Sequence, residues 1–309
     1  MRKSLLALLA VCAALFVVPS ASAVKFGTPD TTNAYPWVRL MVAVDSQGEP
    51  LWRCTGSLLS TDLFLTAGHC VGDPQAAAAD QPAKAYIWFT NQVINTDPQY
   101  LTNLAYQDAH GDASINVCSG IPGSTTYKAV TGYPCGGYTA SGTPESYPKW
   151  TGQLTIPQTY DVGVVHHLQW FGPVPSSFGQ VAPVGTLDTL ATPNGKGNVE
   201  FTVVGFGLQS VKPVESGIKQ RMIGTVSLVN LRSALTDGWN LHYSNNPGEG
   251  HGGSGGTCFG DSGGPVLYNG LIVAVNSFVL NNNCNGAGFG YRVDTSLAQT
   301  FIFGPHPAT

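Results

Sequence analysis

Helical periodicity is almost absent from this chain. Its apolar residues come instead in short runs rich in Val, Ile, Phe and Tyr: Val38 to Val44, Gly56 to Leu59, Phe64 to Thr66, Ala85 to Thr90, Val162 to Val165, Val199 to Gly205, Ile223 to Val229, Pro265 to Tyr268, Leu271 to Asn276 and Gly288 to Val293. Gly, Pro and Asn punctuate these runs, a pattern that argues for antiparallel barrels or sandwiches. The chain holds 38 Gly and 21 Pro, and only 10% of its residues are charged, which suits a loop-rich β protein better than a helical one. Residues 24–309 exceed one comfortable β core, so the expectation is an all-β fold of two antiparallel barrels. Phe171 to Asn198, with Pro173, Pro175, Pro183 and Pro193, reads as the connection, which divides the chain into units 24–170 and 171–309. Near the end, Thr295 to Phe303 has a helix-compatible spacing after Asp294 as an N-cap. Residues 74–150 differ in composition, with an alanine run and a Gly/Thr/Ser/Pro-rich tract, and read as a large surface insertion stapled through Cys118 and Cys135.

The first 23 residues carry a basic start (Arg2, Lys3), an apolar stretch from Leu5 to Val18 and a small-residue cleavage site at Ala21-Ser22-Ala23. That is the form of a secretory signal peptide, too short and wrongly flanked for a membrane anchor. The expected mature protein is secreted and has no membrane association. Without Arg2 and Lys3 the 14 basic residues become 12 against 18 acidic ones, a net charge of −6, so nothing resembles the footprint of a nucleic-acid binder. Of seven cysteines Cys12 leaves with the leader. The remaining even number, Cys54, Cys70, Cys118, Cys135, Cys258 and Cys284, implies three disulfides in an oxidising compartment. No C-x-x-C or clustered Cys/His spacing supports zinc instead, and no metal or cofactor is expected.

"TCFGDSGGPV", Thr257 to Val266, sets a single Asp-Ser pair among Gly260, Gly263 and Gly264. An ordinary turn does not need that density of glycine; a backbone whose N–H groups must approach a ligand does. A serine hydroxyl is a poor nucleophile until a base takes its proton, and the base needs a partner to fix its tautomer. "LLSTDLFLTAGHCV" offers His69 beside Cys70, and "TYDVGVVHHL" offers Asp161 at the start of an apolar run, where a carboxylate is costly unless paired or hydrogen-bonded. Taken singly, each has a plainer reading: a core histidine, a strand cap and a turn residue. His166-His167 follow Asp161, but adjacent strand residues point to opposite faces, which argues against a shared metal.

Together "LTAGHC", "YDVGVV" and "GDSGGPV" resemble the histidine, aspartate and serine motifs of the trypsin-like (chymotrypsin-fold) serine proteases, in that family's order. The resemblance implies two six-stranded β-barrels with the active site between them and a short C-terminal helix. It implies Ser262 as nucleophile, His69 as general base and acid, Asp161 as support for the imidazolium, and the N–H groups of Gly260 and Ser262 as an oxyanion hole. It pairs Cys54 with Cys70 and Cys258 with Cys284, leaving Cys118 with Cys135. In the family the acid before the serine receives the amine of the mature N-terminus; here that is Asp261, and "VKFG" from Val24 stands where the family usually has "IVGG". Signal cleavage itself is then expected to expose the activating amine of Val24. The pocket floor falls on Gly256, beside Thr257, rather than on the aspartate that would attract Arg or Lys. Ser277, Phe278 and Val279 correspond to the strand that pairs with substrate, and Val279 is expected to narrow the pocket mouth. The implied activity is a secreted serine endopeptidase acting after small or medium apolar residues, a monomer whose partners are a polypeptide substrate and a protein inhibitor. A non-catalytic binding module on the same scaffold, or an esterase using the same three residues, are the competing uses. The long span from His69 to Asp161 departs from compact family members and leaves the 74–150 insertion without a template.

Overall fold

The computed structural model describes residues 24–46, 48, 50–78, 81–91, 102, 126–127, 133–134, 136–190, 199–211, 220–245 and 255–306. Residues 1–23, read above as a signal peptide, and Cys118 and Cys135 lie outside them. The strands, in chain order, are β1 (Thr28–Pro29), β2 (Val38–Val44), β3 (Pro50–Leu58), β4 (Leu63–Thr66), β5 (Lys84–Trp88), β6 (Thr126–Tyr127), β7 (Tyr133–Pro134), β8 (Ala140–Ser146), β9 (Gly163–Trp170), β10 (Glu200–Gly205), β11 (Met222–Asn230), β12 (Asn240–Ser244), β13 (Pro265–Tyr268), β14 (Leu271–Val279) and β15 (Ala287–Arg292). Two short α-helices accompany them among the described residues, α1 (Gly68–Val71) and α2 (Ser296–Ile302).

The first barrel closes in the order β2-β3-β4-β9-β8-β5, with β5 returning to β2. The second runs β11-β10-β13-β14-β15-β12 and closes where β12 pairs with β11, while β1 adds to the outer side of β11. Every partnership is antiparallel, as the short, turn-punctuated runs require. All of β2 is buried, because Met41 enters the central core with Leu65 and Val164 while Leu40, Val42 and Val44 face a second cluster around Tyr86, Trp88 and Tyr138. A strand covered on both faces reads as a continuous apolar run rather than an alternating one. The central core is shared between the barrels: Phe64 and Val164 of the first meet Val204, Leu267 and Tyr291 of the second, and Ala298 and Ile302 of α2.

The structure corrects three expectations. Within 74–150, β5 and β8 are barrel strands, so that stretch is not wholly a surface excursion. The cap of α2 is Thr295, whose side chain accepts from Ala298 N–H; Asp294 is buried instead, held by Arg292 and by Leu187 N–H. His166 and His167 do not point apart. A register shift between β8 and β9 coincides with a left-handed His167 (φ 53°), and the two Nδ1 atoms lie 2.9 Å from each other. An extra residue in one strand turns its side chain out of the period-two pattern. The chain ends are exchanged across the molecule. Residues 25 and 28–29 pair with second-barrel residues, whereas Phe301 of α2 packs on Tyr147 beside the first barrel.

Candidate active site

His69 sits on α1, a single turn that follows β4. Its own N–H donates to Asp161 Oδ1 at 2.8 Å, and its Nδ1 lies 2.8 Å from Asp161 Oδ2. Gly68 eases this approach, since a Cβ there would stand 3.2 Å from Asp161 Oδ1 and from the Val162 backbone, close enough that those neighbours would have to give. Asp161, fully buried just before β9, also accepts from Ser277 Oγ, so three donors converge on its carboxylate. Burial alone would push its pKa up, but the charge and hydrogen bond of His69, with Ser277 and the His69 amide, outweigh that and hold it below the usual carboxylate value. For His69 burial favours the neutral ring, yet the charge and hydrogen bond of Asp161 prevail and raise its pKa. The two shifts agree: the pair favours imidazolium beside carboxylate.

Ser262 lies in a turn built for close approach. Asp261 N–H donates to Cys258 O, Gly263 N–H to Asn276 O and Gly264 N–H to Asp261 O. From Gly260 to Gly264, the amides left uncommitted among the described residues are those of Gly260 and Ser262. Gly260 (φ 95°) and Gly263 (φ 77°) occupy conformations that other residues resist. A Cβ on Gly263 would also fall 2.0 Å from Thr66 Oγ1 and 2.5 Å from Thr55 O. Thr55, on β3 of the first barrel, ties this turn down: its N–H donates to Ser262 O and its hydroxyl to Gly260 O, both at 2.8 Å. His69 and Ser262 line one cavity of about 360 Å³ with Thr257, Ser277, Phe278 and Val279. No hydrogen bond joins Ser262 Oγ to His69 among the described residues, and such bonds are often long until a substrate fixes the hydroxyl. The constellation can pass a proton from a hydroxyl to a braced imidazole beside two free amides.

Asp261 is fully buried, accepting from Gly207 N–H at 2.8 Å and Cys258 N–H at 3.0 Å. Burial pushes its pKa up to about 7, against those hydrogen bonds and the charge of Arg53. Gly205 and Gly207 make room for it, since a Cβ on either would come within 2.4 Å of the carboxylate. Val24 is buried too, with its side chain near Gly224 and Gly255. Gly256 does not line the cavity: it pairs with Lys25, and a Cβ there would meet Asn245 O at 2.5 Å.

Sequence reasoning misses Tyr243, Phe289 and His242, whereas Trp150 reads from sequence as a core or pocket-wall aromatic. Tyr243 OH, 2.9 Å from both Thr257 Oγ1 and Asn276 Oδ1, backs the cavity, and Phe289 stacks on Phe278 at 4.4 Å and 3° while His242 stacks on Phe289 at 4.5 Å. Trp150 lines the cavity opposite, its Nε1 fixed on Gly72 O and its ring 6.4 Å from His69. No local motif marks these residues; only the barrel closure brings them to the site. The bridges Cys54–Cys70, with Cα atoms 6.0 Å apart, and Cys258–Cys284, at 5.3 Å, are formed, and each anchors a loop bearing one of the reactive side chains.

No curated protein sequence matches the chain. Among solved structures it is similar to HL collagenase (TM-score 0.57, 14% identity, 91% of this chain and 100% of that one). It is also similar to the scabies mite inactivated protease paralogue S-D1 (TM-score 0.56, 15% identity, 92% and 100%) and to human heparin binding protein (TM-score 0.53, 15% identity, 92% and 99%). These likenesses show the fold. The family model described as Trypsin matches residues 24–102 and 154–302, and with two closed antiparallel barrels around the paired His69 and Asp161, the chain belongs to the trypsin family.

Proposed function

We propose that this protein is a secreted serine endopeptidase, released by removal of residues 1–23. The observation that carries the reading is the His69–Asp161 pair in one cavity with Ser262, whose own amide and that of Gly260 are uncommitted. Ser262 Oγ attacks the scissile carbonyl as His69 Nε2 takes its proton, and Asp161 holds the ring in the tautomer that leaves Nε2 free. The Gly260 and Ser262 N–H groups receive the charge that grows on the carbonyl oxygen. His69 then returns the proton to the leaving amine, and water, deprotonated by the same nitrogen, hydrolyses the acyl-enzyme.

Small or medium apolar side chains fit before the scissile bond. Among the described residues no carboxylate lines the cavity, so a cationic side chain would be desolvated without compensation. The Phe278–Phe289–His242 stack thickens one wall, and Val279 lines the opening.

Burial pushes the Asp261 carboxyl up to about 7 despite the charge of Arg53, so a further cation is favoured beside it, and the α-ammonium of Val24 is the group assigned to that role. Val24 is already buried beside the second barrel. Protein beginning at Val24 is therefore expected to be active, and protein retaining Ala23 to lose roughly 10²-fold or more in kcat, the scale of a disordered oxyanion hole; equal activity of the two forms would refute the pairing.

The central experiment is labelling of the mature protein with a fluorophosphonate, followed by cleavage of peptide and ester libraries. Labelling is expected in the wild type and absent in Ser262→Ala, with turnover of peptides bearing Ala, Val or Leu before the cut. An unlabelled wild type favours a non-catalytic module, the condition of one structural neighbour, which is named an inactivated protease paralogue. Turnover of esters alone favours an esterase, and preference for Arg or Lys overturns the pocket reading.

A further inference from the structure

A second polar cluster stands outside this cavity. Glu145 on β8, His166 on β9 and His306, just beyond α2, bring together three metal-ligating atoms, all within 4.8 Å of one another. Glu145 Oε2 lies 3.2 Å from His166 Nε2 and 2.9 Å from His306 Nδ1. The two imidazoles stack, with centroids 5.0 Å apart at 15°. His166 is buried, and Glu145 and His306 are half-buried.

With its imidazoles neutral and Glu145 ionised, the cluster has fewer protons than contacts to fill. His306 Nε2 lies 3.2 Å from Ile302 O, which only accepts. A neutral imidazole has one N–H, so donating it there leaves a bare lone pair at Nδ1, facing the Glu145 carboxylate. His166 Nδ1 meets His167 Nδ1 at 2.9 Å; if it donates there, its Nε2 is bare and faces the same oxygen. In these tautomers two bare nitrogens and a carboxylate oxygen lie within 4.8 Å of one another, a donor set that can hold a cation. Ligand atoms around a tetrahedral zinc with bonds of about 2.0–2.1 Å are about 3.3 Å apart, close to the 3.2 Å and 2.9 Å that separate Glu145 Oε2 from the two nitrogens. Two nitrogens and one carboxylate suit zinc better than calcium or magnesium, which prefer all-oxygen shells. The outer partners a ligating histidine needs are present in Ile302 O and His167. A cavity of about 560 Å³, lined in part by Glu145, Thr300 and His306, adjoins the cluster. The other Cys/His grouping, Cys54, His69 and Cys70, offers no thiolate because its sulfurs form a disulfide.

We propose that Glu145 Oε2, His166 Nε2 and His306 Nδ1 bind one zinc ion, with water completing the shell, and that the ion fastens the segment after α2 to β8 and β9. The site is independent of the catalytic reading. Protein stripped with a chelator and dialysed against zinc sulfate is expected to retain one zinc per chain by elemental analysis and to melt at a higher temperature than the stripped form. Glu145→Gln and His306→Ala are each expected to weaken zinc binding at least about tenfold, as is His306→Gln, which keeps a polar side chain there. Circular dichroism of the stripped variants reports that they are folded. Cobalt(II) in place of zinc is expected to give a visible d–d band that His306→Ala abolishes, whereas His69→Ala keeps both metals. No retained zinc in the wild type, undiminished binding in the Glu145 and His306 variants, or loss of zinc in His69→Ala would each overturn the site.

Discussion

The Asp161 carboxylate acts on its neighbour in two measurable ways. Because it raises the His69 pKa above the ordinary value near 6.5, the acid limb of kcat/KM is expected above about pH 6.5, activity falling as the ring gains its second proton. Asp161→Asn is expected to shift that limb to lower pH and to lower kcat by about 10⁴-fold. Stability runs the other way. A histidine whose folded pKa is raised contributes fully below its ordinary value, and the contribution is lost as pH climbs through the raised one. A carboxylate whose folded pKa is lowered contributes above about pH 4, and that is lost on further acidification. The pair thus stabilises most between about pH 4 and 6.5, on the acid side of the expected activity limb. Thermal melts of the wild type and Asp161→Asn across this range check the claim: their difference is expected to shrink towards pH 8. These residues were legible in sequence because a nucleophile demands a base and the base a carboxylate. The His166–His167 contact was not, since a left-handed residue inside a strand defeats the period-two argument and nothing in "VVHHLQ" announces it.

At the level of elements, the runs rich in Val, Ile, Phe and Tyr located most barrel strands, but β8 and β12 escaped. The sequence of β12, Asn-Leu-His-Tyr-Ser, is short and polar; it is a strand because β11 and β15 flank it, the Tyr243 hydroxyl donates to Asn276 Oδ1, and the Asn240 side-chain amide donates to Pro157 O. The start of α2 shows the same limit, since Asp294 and Thr295 are both good caps and only the buried Arg292 decides which one is used. The serine turn was legible for the opposite reason, as its glycines are imposed by close approach. Gly263→Ala combines a strained φ with overlap on Thr66 and Thr55, and is expected to cost roughly 2–4 kcal/mol in urea denaturation and to displace the Ser262 amide.

Across the whole molecule, a first-barrel strand supports the reactive turn of the second. Thr55 Oγ1 donates to Gly260 O and accepts from Phe206 N–H at 3.0 Å, so Thr55→Val leaves two buried backbone groups unpaired. The expected cost is about 1–3 kcal/mol, and kcat is expected to fall while KM changes little, because Gly260 is loosened and the cavity walls are not; a change in KM alone would contradict this. No sequence pattern joins Thr55 to Gly260. The exchanged chain ends carry a further consequence. The leading residues are sewn to the rear half and the trailing segment to the front half, so the halves are held like a parcel under two crossed straps. Parting the two halves would first require one of these straps to peel away.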